Sequence, residues 1–119
     1  MIAVNVSAVA VLSVAFSHIM HKQPARLMNV TTGAGYARYE SSITYSANKF
    51  FVTALTEGIA LELSSRKLQL REQLLAPGPI ATAFMMNAVA GSKMPDINAH
   101  GIQFHTAEQA AEFAIQLYD

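Results

Sequence analysis

Tyr45-Ser46-Ala47-Asn48-Lys49 sets a phenol and an ammonium four residues apart, so on a helix both side chains leave the same face one turn apart. A phenol is a poor acid and a poor base at neutral pH, but a neighbouring cation favours its ionised form and draws its pKa toward the working range. The pair can therefore serve as a general acid or base, and it can equally be an ordinary surface pair. A hydroxyl residue, Thr32, lies 13 positions before Tyr45, and Asn5 lies 27 positions before Thr32. If Thr32 ends a strand, its hydroxyl can be aimed at the space above the Tyr-Lys face.

The elements that would position these groups can be read from pattern and punctuation. Residues from Ala3 to Lys22 read as a helix apolar on nearly all sides, which predicts burial. Arg26 to Thr31 reads as a short strand, ended by Thr32-Gly33-Ala34-Gly35, whose glycines permit a sharp turn. A polar loop runs to Ser42. Thr44 to Ser65 is a second helix, with Ala47, Phe51, Ala54, Leu55, Gly58 and Leu61 spaced as one apolar face. Gly58 costs helix propensity, and a close helix contact is its expected return, with a merely tolerated glycine as the alternative. Leu68 to Ala76 reads as a strand stopped by Pro77-Gly78-Pro79. Strand, helix, strand makes a βαβ unit with parallel strands. Ile80 to Gln103 is irregular, and Thr106 to Tyr118 is a closing helix that Thr106 can cap.

Composition narrows the function classes. The 119 residues carry eight basic and eight acidic side chains, so no net field favours nucleic acid or an acidic membrane. With 52% hydrophobic residues, a lone copy is expected to self-associate. The absence of cysteine excludes disulfides and thiolate zinc sites and fits a reducing compartment. Met1 to Met20 is apolar enough to raise a leader peptide or a membrane span. It has no basic lead-in, however, and Asn5, Ser7, Ser13, Ser17 and His18 interrupt it. His18 and His21 stand one turn apart, but no third metal ligand has an evident location, so no metal is expected. His100 and His105 fall in a loop region and read as exposed. Met85, Met86 and Met94 read as core filling, with an adaptable apolar pocket as the alternative.

Asn, hydroxyl residue, Tyr and Lys occur in the order, spacing and elements of the short-chain dehydrogenase/reductase tetrad, and this sequence resembles that family. Val4-Asn5-Val6, Asn29 to Gly35 and Ala76 to Thr82 agree with it, so the resemblance spans essentially the whole chain. It implies an α/β fold, a partial Rossmann-type domain over residues 1–119 with few strands of a doubly wound parallel sheet and two long helices. It also implies a cytoplasmic NAD- or NADP-dependent oxidoreductase that interconverts a small alcohol and a carbonyl compound. Tyr45 would then be the general acid or base, and Lys49 would bind the nicotinamide ribose and lower the Tyr45 pKa. Thr32 would hydrogen-bond the reacting oxygen, and Asn5 would shape the first helix and hold a relay water. Pro77, Gly78 and Ile80 would flank the nicotinamide, with Thr82 near its carboxamide or the phosphates. Family members commonly dimerise through the two long helices, here residues 3–22 and 44–66.

The pattern departs from the family in four places. Threonine stands where serine is usual at position 32. Arg71-Glu72-Gln73 is polar where a buried parallel strand should be apolar, so that end is either exposed or disturbed in its packing. The strand, glycine-rich turn and helix that grip the pyrophosphate are not in this sequence, nor is the strand expected after the last helix. Gly33-Ala34-Gly35 is no substitute, because it follows the wrong strand. Two further readings therefore stand beside the enzyme: a catalytically silent remnant that associates through its helices, and a product that does not fold alone.

Overall fold

The computed structural model describes residues 1–38, 40–82, 84 and 104–118. Met1–Ala76 forms one compact unit and Pro77–Leu117 a second. Met85, Met86, Met94 and His100 lie outside the described residues.

In the first unit a π-helical stretch, Ala3–Ala8, runs directly into helix α1, Val9–Met20. Strand β1, Arg26–Val30, follows and ends in a 3-10 turn at Gly33–Gly35. After a second such turn at Glu40–Ser42, helix α2 spans Ile43–Ser65 and strand β2 spans Arg71–Leu75. The strands pair in parallel, in register from Arg26 opposite Arg71 to Val30 opposite Leu75. The predicted βαβ unit is therefore present, with β2 shorter than Leu68 to Ala76. The ladder continues past both ends, from Arg71 N–H to Ala25 O at 3.0 Å and from Thr31 N–H to Leu75 O at 2.8 Å.

Helix α2 stops in a Schellman motif. Leu68 N–H bonds Leu63 O and Lys67 N–H bonds Ser64 O, both at 3.0 Å, with Lys67 in the left-handed region at φ 53°. This closure turns the chain from α2 back into β2.

Packing departs from expectation on both helices. The first helix forms, but only Ser13 of α1 is buried, while Val11, Leu12, Val14 and Ile19 are each 55–71% exposed. It lies on β1 and α2 along one side only. By length and composition the helix Ala3–Met20 could cross a membrane, and 6% of that window is buried. On α2, the buried positions are Ser46, Asn48, Val52, Thr53, Thr56 and Leu63. The predicted apolar face is displaced: Ala47, Ala54 and Gly58 are exposed, and Leu61 is 72% exposed. The reason is local chemistry. Thr53 and Thr56 turn their hydroxyls back onto Lys49 O (3.0 Å) and Val52 O (2.7 Å) of their own helix, which leaves their methyls to pack as core. A Cβ at Gly58 would meet nothing within 4 Å, so the expected close helix contact there is replaced by open space.

The polar start of β2 resolves by alternation. Arg71 is exposed, whereas Glu72 points to the opposite face and is 8% exposed. There Asn29 donates to Glu72 Oε1 at 3.0 Å, and its amide also reaches Ser13 Oγ at 2.9 Å and Thr56 Oγ1 at 3.0 Å.

The second unit contains a parallel bridge between Ile80 and His105 and all but the last residue of helix α3, Ala107–Tyr118. Thr106 caps α3 as predicted: Gln109 N–H donates to Thr106 Oγ1 at 3.2 Å, and Thr106 N–H donates to Gln109 Oε1 at 2.9 Å. His105 is half-buried rather than an exposed loop residue. Its backbone is paired with Pro79 and Ala81, and its ring meets Phe113 edge-on at 5.6 Å.

Candidate active site

Val30, Thr31 and Thr32 leave the β1 end next to the first turns of α2, and the site is built where they meet. Thr32 is fully extended, at φ −166° and ψ 173°, before the chain tightens through Gly33–Gly35. Gly35 is required by space, not by an unusual φ. A Cβ there would collide with Oγ1 of both Thr31 and Thr53 and press on the Lys49 carbonyl. The glycines of this turn thus serve close packing, and Gly35 is itself buried, which leaves it no surface for a phosphate.

Tyr45 and Lys49 stand one turn apart on α2, as their spacing predicts, and both are half-buried. The Thr32 hydroxyl hydrogen-bonds the Tyr45 phenol. The Lys49 amine sits 5.9 Å from the centroid of the Tyr45 ring and donates to Val30 O at 3.1 Å. Burial pushes the Tyr45 phenol above its ordinary pKa, and the Thr32 hydrogen bond opposes that rise without cancelling it. Burial also holds the Lys49 amine below the usual lysine range. Desolvation is the largest influence on the phenol, and the amine expected to lower its pKa donates to a strand carbonyl.

Asn5 lies in the π-helical stretch, which packs beside α2. It is half-buried, and its backbone N–H bonds Met1 O at 2.9 Å. Among the described residues no hydrogen bond ties Asn5 to Thr32, Tyr45 or Lys49. The chain thus brings Thr32, Tyr45 and Lys49 together and places Asn5 on the neighbouring helix. Pro77, Gly78, Ile80 and Thr82 belong to the second unit. There Gly78 would present a Cβ 3.6 Å from the His105 ring, Ile80 forms the bridge to His105, and Thr82 is half-buried.

Two residues at the site were not singled out from sequence. Thr31 and Thr53 are 2% and 6% exposed, lie 3.1 Å apart through their hydroxyls, and are both bonded to Lys49 O. Thr53 stands four residues after Lys49, the spacing for a hydroxyl that returns to its own helix, and that was the available signal.

The fold is an α/β arrangement around a two-stranded parallel sheet, and comparison with known proteins fixes the family. The family model described as short chain dehydrogenase matches residues 1–93. A chicken (Gallus gallus) protein named dehydrogenase/reductase SDR family member 11 is 34% identical over 89 residues, covering 71% of this chain. The human (Homo sapiens) protein of the same name is 37% identical over 60 residues, 49% of this chain. This chain belongs to the short-chain dehydrogenase/reductase family. It spans 35% of the length of the chicken relative and 23% of the human one. Among solved structures, a short-chain dehydrogenase from Sphingobium yanoikuyae in complex with NADPH superposes with a TM-score of 0.75 at 23% identity. That match covers 98% of this chain and 43% of the other. A Burkholderia phymatum short-chain dehydrogenase/reductase in complex with NAD gives a TM-score of 0.65 at 25% identity, covering 96% and 40%.

Proposed function

We propose that this chain carries the proton-transfer half of an NAD(P)-dependent oxidoreductase that interconverts a small alcohol and a carbonyl compound in the cytoplasm. The observation that carries the reading is the contact of the Thr32 hydroxyl with the Tyr45 phenol, with the Lys49 amine 5.9 Å from the ring. Three polar groups that are only half-buried converge at one strand end, a donor set that fits the hydroxyls of a nicotinamide ribose and a reacting oxygen. Lys49 and Tyr45 would hold the ribose; of the second unit, Pro77, Gly78 and Ile80 are the residues that would flank a nicotinamide, and Thr82 the one near its carboxamide or the phosphates. Asn5 would hold a water in the proton relay. When bound, the cofactor supplies or receives the hydride. The Gly33–Gly35 turn between β1 and α2 is closely packed at Gly35 and offers no phosphate grip there.

Tyr45 moves the proton. Its raised pKa keeps the phenol protonated at neutral pH, so in carbonyl reduction it donates to the developing alkoxide while Thr32 holds the same oxygen. Oxidation of an alcohol requires the phenolate and is therefore favoured only at high pH. The test is carbonyl-dependent oxidation of NADPH and NADH across a panel of small aldehydes and ketones. Tyr45→Phe should lower turnover by at least about 100-fold, the lower end for a lost general acid. Turnover equal to wild type in Tyr45→Phe would overturn the assignment.

The exposed apolar side chains of α1 and α2 favour a second reading, an association module that binds an intact relative or another copy through residues 3–22 and 44–66. Light scattering that shows a monomer at all concentrations would count against it.

A further inference from the structure

Lys49 is held at both ends by consecutive residues of one strand end. Its amine donates to Val30 O at 3.1 Å, and its backbone carbonyl accepts from Thr31 Oγ1 at 3.1 Å. A second hydroxyl, Thr53 Oγ1, reaches the same carbonyl at 3.0 Å and lies 3.1 Å from Thr31 Oγ1. Gly35 closes over this cluster with no room for a side chain. Both hydroxyls are buried, so neither bond is exchanged for one to bulk water, and losing a partner would leave a desolvated oxygen. Nothing in the helix itself demands them. The Lys49 carbonyl can be served by its own turn of α2, so two additional hydroxyls on it fix where that turn sits relative to β1.

We propose that Thr31 and Thr53 are positioning residues that set the height of Lys49 against the β1 end and thereby the reach of its amine beneath Tyr45. This deepens the reading that Lys49 serves the reaction, and it acts through Lys49 alone. Both threonines are buried, with their hydroxyls turned onto the Lys49 carbonyl. Their deletion should let the turn that carries Lys49 shift away from the strand, releasing the amine from Val30 O into solvent. Valine is the suitable replacement, since it keeps the shape and the β-branching and removes only the hydroxyl.

The experiment is competitive acylation of the full chain with acetic anhydride as a function of pH, with the apparent pKa of Lys49 read by peptide mass spectrometry and Lys22 as an exposed reference. Thr31→Val and Thr53→Val, each checked for folding by circular dichroism, should move the Lys49 value up toward the ordinary lysine range. Thr31→Ser and Thr53→Ser, which keep the hydroxyl, should restore it. A general loss of structure would also disturb the serine variants and the thermal midpoint, so this rescue separates positioning from mere stability. The proposal is overturned if a folded valine variant retains the wild-type Lys49 value. It is likewise overturned if a serine variant shifts as far as its valine counterpart, which can be scored even where one valine variant fails to fold. Labelling needs no turnover, so an inactive chain would refute the catalytic reading while leaving this one to be decided by the labelling result.

Discussion

An ionised carboxylate at position 72 would face Ser13, Asn29 and Thr56, all neutral, because Arg71 and Arg26 share the other face of the strand pair. The Asn29 amide has two protons for three acceptors, and Glu72 Oε2 is buried with no partner among the described residues. Burial accordingly pushes the Glu72 pKa from 4.5 to about 7. The folded state holds this proton more tightly than the unfolded state does. The stabilisation is therefore complete below about pH 4.5 and is lost as pH rises through about 7. Urea unfolding should show a decline on the order of 3 kcal/mol across that window. Glu72→Gln should remove the decline, and an unchanged decline in that variant would assign it to another group. None of this was legible from the sequence, where Glu72 read only as an offence against strand pattern. Tyr45 and Lys49 were legible because helical spacing alone puts them on one face. Thr31 and Thr53 were not, because a threonine's worth at a site depends on which carbonyl lies beside it.

At the level of elements, the ends of β1 and β2 followed from glycine and proline, but the α2 closure at Lys67 did not, nor did the buried face of α2 follow from hydrophobic spacing. Thr53 and Thr56 became core by satisfying their hydroxyls within the helix, while Leu61 remained on the surface. Binary pattern treats threonine as polar, and here its methyl does the packing. Two substitutions test the element account. Lys67 holds a left-handed backbone at the α2 closure, so Lys67→Gly should raise stability by about 0.5–1 kcal/mol in chemical denaturation. Gly35→Ala forces a methyl among Thr31, Thr53 and Lys49 O and should cost about 1–3 kcal/mol by the same measurement. Equal stabilities for wild type and Gly35→Ala would mean that the cluster is looser than its contacts indicate.

Across the whole molecule, burial is uneven. The buried residues among those described include more polar groups than apolar ones, while Leu12, Ile19, Ile43 and Leu61 are each more than two-thirds exposed. Covering each such side chain is worth about 1.5–3 kcal/mol, enough for a handful to drive association of a chain with no net charge. Sedimentation should therefore show concentration-dependent self-association, weakened when Leu12 and Leu61 are both changed to lysine. A double variant that associates as strongly as wild type would move the contact elsewhere. Family membership places these helices in a protein whose matched relatives extend well beyond this sequence.

If the proposed function holds, Tyr45 and Lys49 face a nicotinamide cofactor, and calorimetric titration of the folded chain with NADH and NADPH, beside Lys49→Ala, decides it. Saturable binding of at least one cofactor, weakened about tenfold or more by loss of the amine, is the predicted result, the scale of one charge-assisted hydrogen bond. Binding of equal strength in wild type and Lys49→Ala, or none by a folded chain at millimolar cofactor, would contradict it.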